Sequence, residues 1–174
     1  NSVAHSKGMT YRSSFLSNLA FKNYNRRIPD AHTMFDWLSR DDGVVQRFQS
    51  DAKCNFIFTA AGFRDLFTLV DRANTAKCFK STPRDLPLLL ISGDRDPVGG
   101  YGEGVRRVAK LYRAAGLTDL DVIFYKNGRH EILNETNRLD VYGDISRWLT
   151  RHLAQASDDA QETAKEEPHA DSDP

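Results

Sequence analysis

Leu88-Leu89-Leu90-Ile91-Ser92, followed by Gly93-Asp94-Arg95-Asp96-Pro97-Val98-Gly99-Gly100, is the stretch on which the fold turns. The apolar run is short, unbroken and bounded by Pro87 and Gly93, which is how a strand buried on both faces of a parallel sheet reads. Beyond the polar loop, Val105, Val108, Ala109 and Tyr112 recur at helical spacing up to Gly116, a residue suited to a left-handed helix cap. Val122-Ile123-Phe124-Tyr125 predicts a second strand. A final helix is predicted from Val141, Ile145, Trp148 and Leu149 on one face. Strand, helix, strand, helix implies a right-handed crossover and a parallel pair, hence the α/β class. Two parallel strands cannot cover their own faces and edges, so the expected fold is incomplete.

Upstream, residues 1–84 carry a different pattern. Phe15, Leu16, Leu19 and Ala20 have helical spacing, and a turn-like Tyr24-Asn25-Arg26-Arg27-Ile28-Pro29-Asp30 follows them. Val44, Val45 and Phe48 predict a short helix after Ser39-Arg40-Asp41-Asp42, where a small polar residue can cap free amides. Thr59 is placed to cap another helix, whose face holds Phe63, Leu66, Phe67 and Val70. No run here alternates as a strand. The organisation expected is therefore a helical region over 1–84, an α/β region over 85–154, and a tail over 155–174.

The tail stands apart in composition. It holds seven acids against the single base Lys165, so it carries −6 and the remainder +6, although Lys+Arg and Asp+Glu are equal at 24 each overall. With no aromatic or large aliphatic residue it cannot offset its ordering entropy, which predicts disorder and a solubilising role. Overall neutrality gives no basic excess for nucleic acid or an anionic membrane. No apolar run approaches the roughly 20 residues of a membrane span, and the N-terminus has no apolar signal core. Cys54 and Cys78 lack metal-ligand spacing and read as reduced thiols. A cytoplasmic location is the expectation.

The chemistry lies in the loops. In open α/β sheets ligands sit at the carboxyl ends of strands. The second strand leads into Asn127-Gly128-Arg129-His130-Glu131-Ile132-Leu133-Asn134-Glu135. A carboxylate on one loop and an imidazole on the next can meet above the sheet edge, the acid fixing the tautomer of a general base. Taken singly, Asp96 fits an Asx-turn and His130 fits polar surface; taken together they fit an acid–base pair, and spacing alone leaves both readings standing. A metal site at Asp94, Asp96 and His130 is a third reading, but it is short of its usual second nitrogen or sulfur ligand.

From Leu86 to Leu153 the chain resembles the C-terminal part of α/β-hydrolases of the serine aminopeptidase, lysophospholipase and monoacylglycerol lipase group. Their acid loop, Gly-x-x-Asp, is matched by Gly93-Asp94-Arg95-Asp96. Their histidine loop, Gly-x-His-Glu-Ile/Leu-Leu-Asn-Glu, is matched by Gly128 to Glu135. Phe35-Asp36-Trp37-Leu38-Ser39-Arg40-Asp41 and the run from Phe56 to Phe67 resemble the same group's cap, or lid. The resemblance makes His130 the general base and Asp96 its partner, with Asp94 as second choice for the acid and Glu131 and Glu135 in the supporting shell. It implies no metal and no organic cofactor. It also implies that Trp37, Phe56, Phe58 and Phe63 line an acyl-chain channel, although apolar side chains at helical spacing usually pack helices onto a core.

One departure is large. The group's nucleophile stands in a Gly-x-Ser-x-Gly elbow, and none occurs in this sequence. Ser13, Ser14 and Ser92 lack the elbow context. The resemblance therefore implies the cap and C-terminal half of a longer serine hydrolase, inactive without its N-terminal half and acting, when whole, on medium or long acyl esters such as a monoacylglycerol or lysophospholipid. A peptide with a free N-terminus is the second substrate class. The competing class is a hydrolase-derived binding module without chemistry.

Overall fold

A computed structural model describes residues 2–29 and 31–166. The chain forms two compact units, one running through Arg138 and the other from Leu139 onward. Nothing divides at residue 84, where the sequence pattern changes. The reason is a set of backbone hydrogen bonds that ties the upstream segment at Trp37 and Leu38 to the histidine loop.

The upstream region is helical, as its periodicity predicts. It contains α1 (Ser2–Lys7), α2 (Ser14–Phe21), a 3-10 turn at Tyr24–Arg27, α3 (Asp42–Ser50), α4 (Ala60–Ala73) and α5 (Ala76–Ser81). Small polar residues start four of these helices by accepting from free amides. Ser13 takes Leu16 N at 3.2 Å, Asp41 takes Gly43 N at 2.9 Å, Thr59 takes Gly62 N at 3.0 Å and Thr75 takes Cys78 N at 3.2 Å. Each such cap contributes about 1 kcal/mol. The expectation of no strand here holds among the described residues, apart from an isolated antiparallel bridge between Arg12 and Thr59. Phe63 is the hub of this region, 1% exposed, with the rings of Phe21, Phe58 and Phe67 at 6.2, 5.5 and 6.0 Å.

The α/β region follows the predicted order. Strand β1 (Leu88–Gly93) and strand β2 (Leu120–Tyr125) pair in parallel, from Leu88 opposite Leu120 to Gly93 opposite Tyr125. Helix α6 (Glu103–Ala114) connects them. Ala109, Leu117 and Leu120 are buried, with Leu88, Leu90, Tyr112 and Val122 packed against them. Burying one such aliphatic side chain stabilises by about 1.5–3 kcal/mol. Helix α6 ends before Gly116, whose φ of 100° is the left-handed conformation foreseen there; a Cβ would also meet Arg84 Nε at 3.1 Å. One expectation is corrected. The strands are half-buried from Leu88 to Ile91 and from Asp121 to Phe124, not buried on both faces, because the two-stranded sheet has few partners within these residues.

Helix α7 (Arg138–Glu166) begins where the final helix was predicted and runs 29 residues. It continues through 155–166, which composition placed in a disordered tail. Ala154, Gln155, Ala156, Gln161, Glu162 and Ala164 are good helix formers, and a helix already begun extends through them at low cost. The rest of the tail, 167–174, lies outside the described residues. No described helix is long and apolar enough to cross a membrane, and Cys54 and Cys78 are free thiols.

Candidate active site

Because β1 and β2 are parallel and in register at Gly93 and Tyr125, their following loops leave the sheet at the same end. Two glycines let those loops touch. A Cβ on Gly93 would stand 2.1 Å from the carbonyl oxygen of Gly128, so only glycine fits at this approach. Backbone bonds close the seam: Asp94 N donates to Tyr125 O at 3.1 Å and Arg95 N to Gly128 O at 2.9 Å. Asp94 adds a side-chain brace, its Oδ1 accepting from Asn127 N at 2.7 Å. Asn127 has φ of 60°, a conformation that asparagine tolerates better than most residues.

This apposition brings Asp96 to His130. The imidazole Nδ1 lies 3.1 Å from Asp96 Oδ1. The same oxygen accepts from Val98 N at 2.8 Å. Asp96 is thus both the Asx-turn acceptor and the histidine's partner: the two readings that spacing left standing describe one residue. Asp96 is 7% exposed, whereas the His130 side chain is 37% exposed. A buried carboxylate facing one imidazole nitrogen leaves the other nitrogen for a reacting group, which is the arrangement of an oriented general base. Tyr101, which closes the acid loop by donating its N–H to Asp96 O at 2.7 Å, has φ of 58°, and the Arg27 guanidinium lies over its ring at 4.4 Å. A non-glycine residue held there stores strain of about 1 kcal/mol or more.

The histidine loop is bound along its length to residues 36–41. His130 N donates to Trp37 O at 3.2 Å and Glu131 N to Leu38 O at 2.7 Å. Ser39, fully buried, donates its hydroxyl to Asn134 O at 3.0 Å and accepts from Asp41 N at 3.0 Å. Arg129 Nη1 reaches back to the carbonyls of Asp36 and Ser39 at 2.6 and 2.8 Å. Sequence reasoning placed 35–41 in a cap, read Ser39 and Arg40 only as part of the stretch that starts the next helix, and gave Arg129 no role. Apart from the local bond between Asp41 N and Ser39, these bonds join residues 90 or more positions apart, so no local periodicity signals them.

The expected site residues fall into distinct places. Asp94 braces the two loops and does not face the imidazole. Glu131 Oε2 accepts from Asn134 Nδ2 at 3.0 Å. Glu135 is buried under the loop. Trp37 sets its ring at 5.2 Å from His130, tilted by 45°, and stands edge-on to Tyr24 at 4.8 Å. Phe56 and Phe58 are exposed and pair with each other at 5.2 Å. Phe63 does not line an open wall: its ring is closed in by three others, the outcome that helical spacing favours. Among the described residues no three His, Cys, Asp or Glu side chains converge as a group that could hold a metal ion.

Electrostatics mark the same corner. Burial pushes the Tyr24 phenol above its ordinary value, and the negative charge of Asp96 pushes it further. Tyr24 was read only as part of a turn. Burial also pushes the Asp36 carboxyl upward. The Thr33 hydroxyl, the His32 and Thr33 amides and the Arg129 charge outweigh that push, so Asp36 sits below the ordinary carboxylate range.

A family model described as serine aminopeptidase, S33, matches residues 5–137. The chain belongs to this hydrolase family. A monoacylglycerol lipase from Mycolicibacterium smegmatis is 28% identical over 129 residues, which is 72% of this chain and 42% of that protein. A thermostable carboxyl esterase from Bacillus coagulans, solved with glycerol, matches with a TM-score of 0.71 and 25% identity over 88% of this chain and 49% of its own. A lipase in its open form matches with a TM-score of 0.77 and 25% identity over 86% of this chain and 49% of its own. The chain thus spans about half the length of the relatives it matches. Its sheet and helices are part of the α/β-hydrolase fold.

Proposed function

We propose that this chain supplies the base and the acid of a Ser-His-Asp triad to a serine hydrolase of carboxylic esters. The observation that carries the proposal is the contact of a buried Asp96 carboxylate with His130 Nδ1 at 3.1 Å, at the carboxyl ends of adjacent parallel strands. The names of its relatives, a monoacylglycerol lipase and a carboxyl esterase, support an acyl-ester substrate.

In this mechanism a serine outside the 174 residues attacks the ester carbonyl, and His130 Nε2 takes the hydroxyl proton. His130 then returns that proton to the leaving alcohol. Water, deprotonated by the same nitrogen, releases the acid and regenerates the serine. Asp96 holds the Nδ1–H tautomer and stabilises the imidazolium. Each proton moves through His130, so the cycle requires no metal or organic cofactor. Medium or long acyl esters, of the monoacylglycerol or lysophospholipid kind, are the substrate class proposed.

The test joins the chain to its genuine upstream sequence and compares it with His130→Ala on short and long p-nitrophenyl esters and on an aminoacyl p-nitroanilide. Ester hydrolysis that vanishes in the variant is the expected result. Faster anilide cleavage moves the substrate to peptides. Equal rates in both proteins, or none in either when folding is verified, point instead to a binding module.

A further inference from the structure

His130 sits on a loop that has no regular structure between β2 and the 3-10 turn at Ile132–Asn134. Its ring is more than one-third exposed and, among the described residues, has Asp96 as its polar partner at 3.1 Å and Trp37 beside it, so its aim depends on how rigidly the backbone beneath is held. The most buried charged group near that loop is Glu135, 1% exposed. Its Oε1 accepts from Arg129 N at 2.9 Å and from Arg40 N at 3.1 Å. Its Oε2 accepts from Arg40 Nε at 2.9 Å and from Thr136 N at 3.0 Å. Arg40 is held in turn by Asn137, whose Oδ1 accepts from Nη2 at 2.7 Å.

We infer that Glu135, with Arg40, is the positioning residue of His130. It grips the amide of the residue immediately before the histidine and locks that amide to the segment whose Trp37 carbonyl accepts from His130 N. A charged, buried carboxylate costs several kcal/mol of desolvation unless every lone pair is used. Here four donors use them, and one of the four is the amide of Arg129, the residue immediately before His130. A packing role alone would be served by an apolar residue at lower cost. Glutamine cannot replace it: whichever way the amide turns, its NH2 group faces two N–H donors. The inference rests on His130 being the general base.

The experiment reads the imidazole itself, by long-range 1H–15N NMR on the 174-residue chain. Wild-type His130 is expected to be held as the Nδ1–H tautomer with a downfield Nδ1 proton shared with Asp96. Glu135→Gln is expected to lose that proton signal and to show mixed tautomers, with circular dichroism retained. Glu103→Gln, which removes an exposed carboxylate paired with Arg106, is expected to leave the signal in place. A folded Glu135→Gln with wild-type His130 signals overturns the inference, as does an equal loss in Glu103→Gln. If Glu135→Gln does not fold, Arg40→Met decides. That variant removes one donor of the four and is expected to broaden or shift the same signal; an unchanged signal overturns the inference. A wild-type chain without an Nδ1–H on His130 sinks the triad proposal instead, so the two failures are told apart. In the upstream-extended protein, Glu135→Gln is expected to lower kcat by roughly 10²-fold with little change in KM, the effect of a misplaced base.

Discussion

The loop end of the sheet and the outer faces of α2 and α4 are built on opposite terms. At the loop end, polar groups are buried and partnered: Ser39, Asp96 and Glu135 are all enclosed, and no buried side-chain nitrogen or oxygen among the described residues lacks a hydrogen bond. On α2 and α4, apolar groups are exposed: Phe15 is 69% and Leu19 71% exposed, with Phe67, Leu69 and Val70 also open. The difference teaches that the site is held by short-range bonds between its own loops.

The largest expected effect breaks the loop seam. Gly93→Ala places a methyl against the Gly128 carbonyl, and urea unfolding is expected to show a loss of about 3 kcal/mol or more, or no cooperative transition. A loss below about 1 kcal/mol would mean the loops part freely, and the contrast would fail. Next comes Ser39→Ala, which leaves the Asn134 carbonyl and the Asp41 amide without their buried partner; a loss of about 1–3 kcal/mol is expected in the same assay. A smaller and conditional effect belongs to Asp36. Its folded-state pKa is lowered, so its contribution is fully present above the unfolded value of about 3.9 and fades as pH falls through the lower folded value. The stability gap between wild type and Asp36→Asn is therefore expected to be constant from neutral pH to about 5 and to narrow below about 4. A gap independent of pH would show that the Asp36 bonds do not depend on its charge. The smallest effect is expected from Leu19→Ser on the open face of α2, within about 0.5 kcal/mol. A loss as large as that of Ser39→Ala would show that the apolar surface supports the unit after all.

Much of this was legible in the chain. The unbroken Leu88–Ser92 run and the helical spacing of Val105 to Tyr112 specify elements through local periodicity, and Gly116 and Thr59 mark helix ends through local backbone chemistry. That an acid loop and a histidine loop would meet was legible because each follows a strand, and parallel strands put their following loops at one end; the family motifs singled out His130, and Asp96 ahead of Asp94. Trp37 and Phe63 were legible only as apolar side chains. Nothing in their spacing tells a ring beside the imidazole from a ring at the centre of an aromatic cluster.

The sequence by itself determined the element order, the parallel pair, the helix ends at Thr59 and Gly116 and the two loops that meet above the sheet, because these follow from interactions spanning a few positions or one crossover. Only the tertiary structure decided that residues 36–41 belong to the histidine loop, that Asp94 braces while Asp96 pairs, and that Glu135 lies beneath the site with four donors around it. Arg40 and Glu135 are 95 positions apart. A buried charge finds its partners by where the folded backbone brings donors, and that is a property of the assembled packing rather than of any stretch of chain.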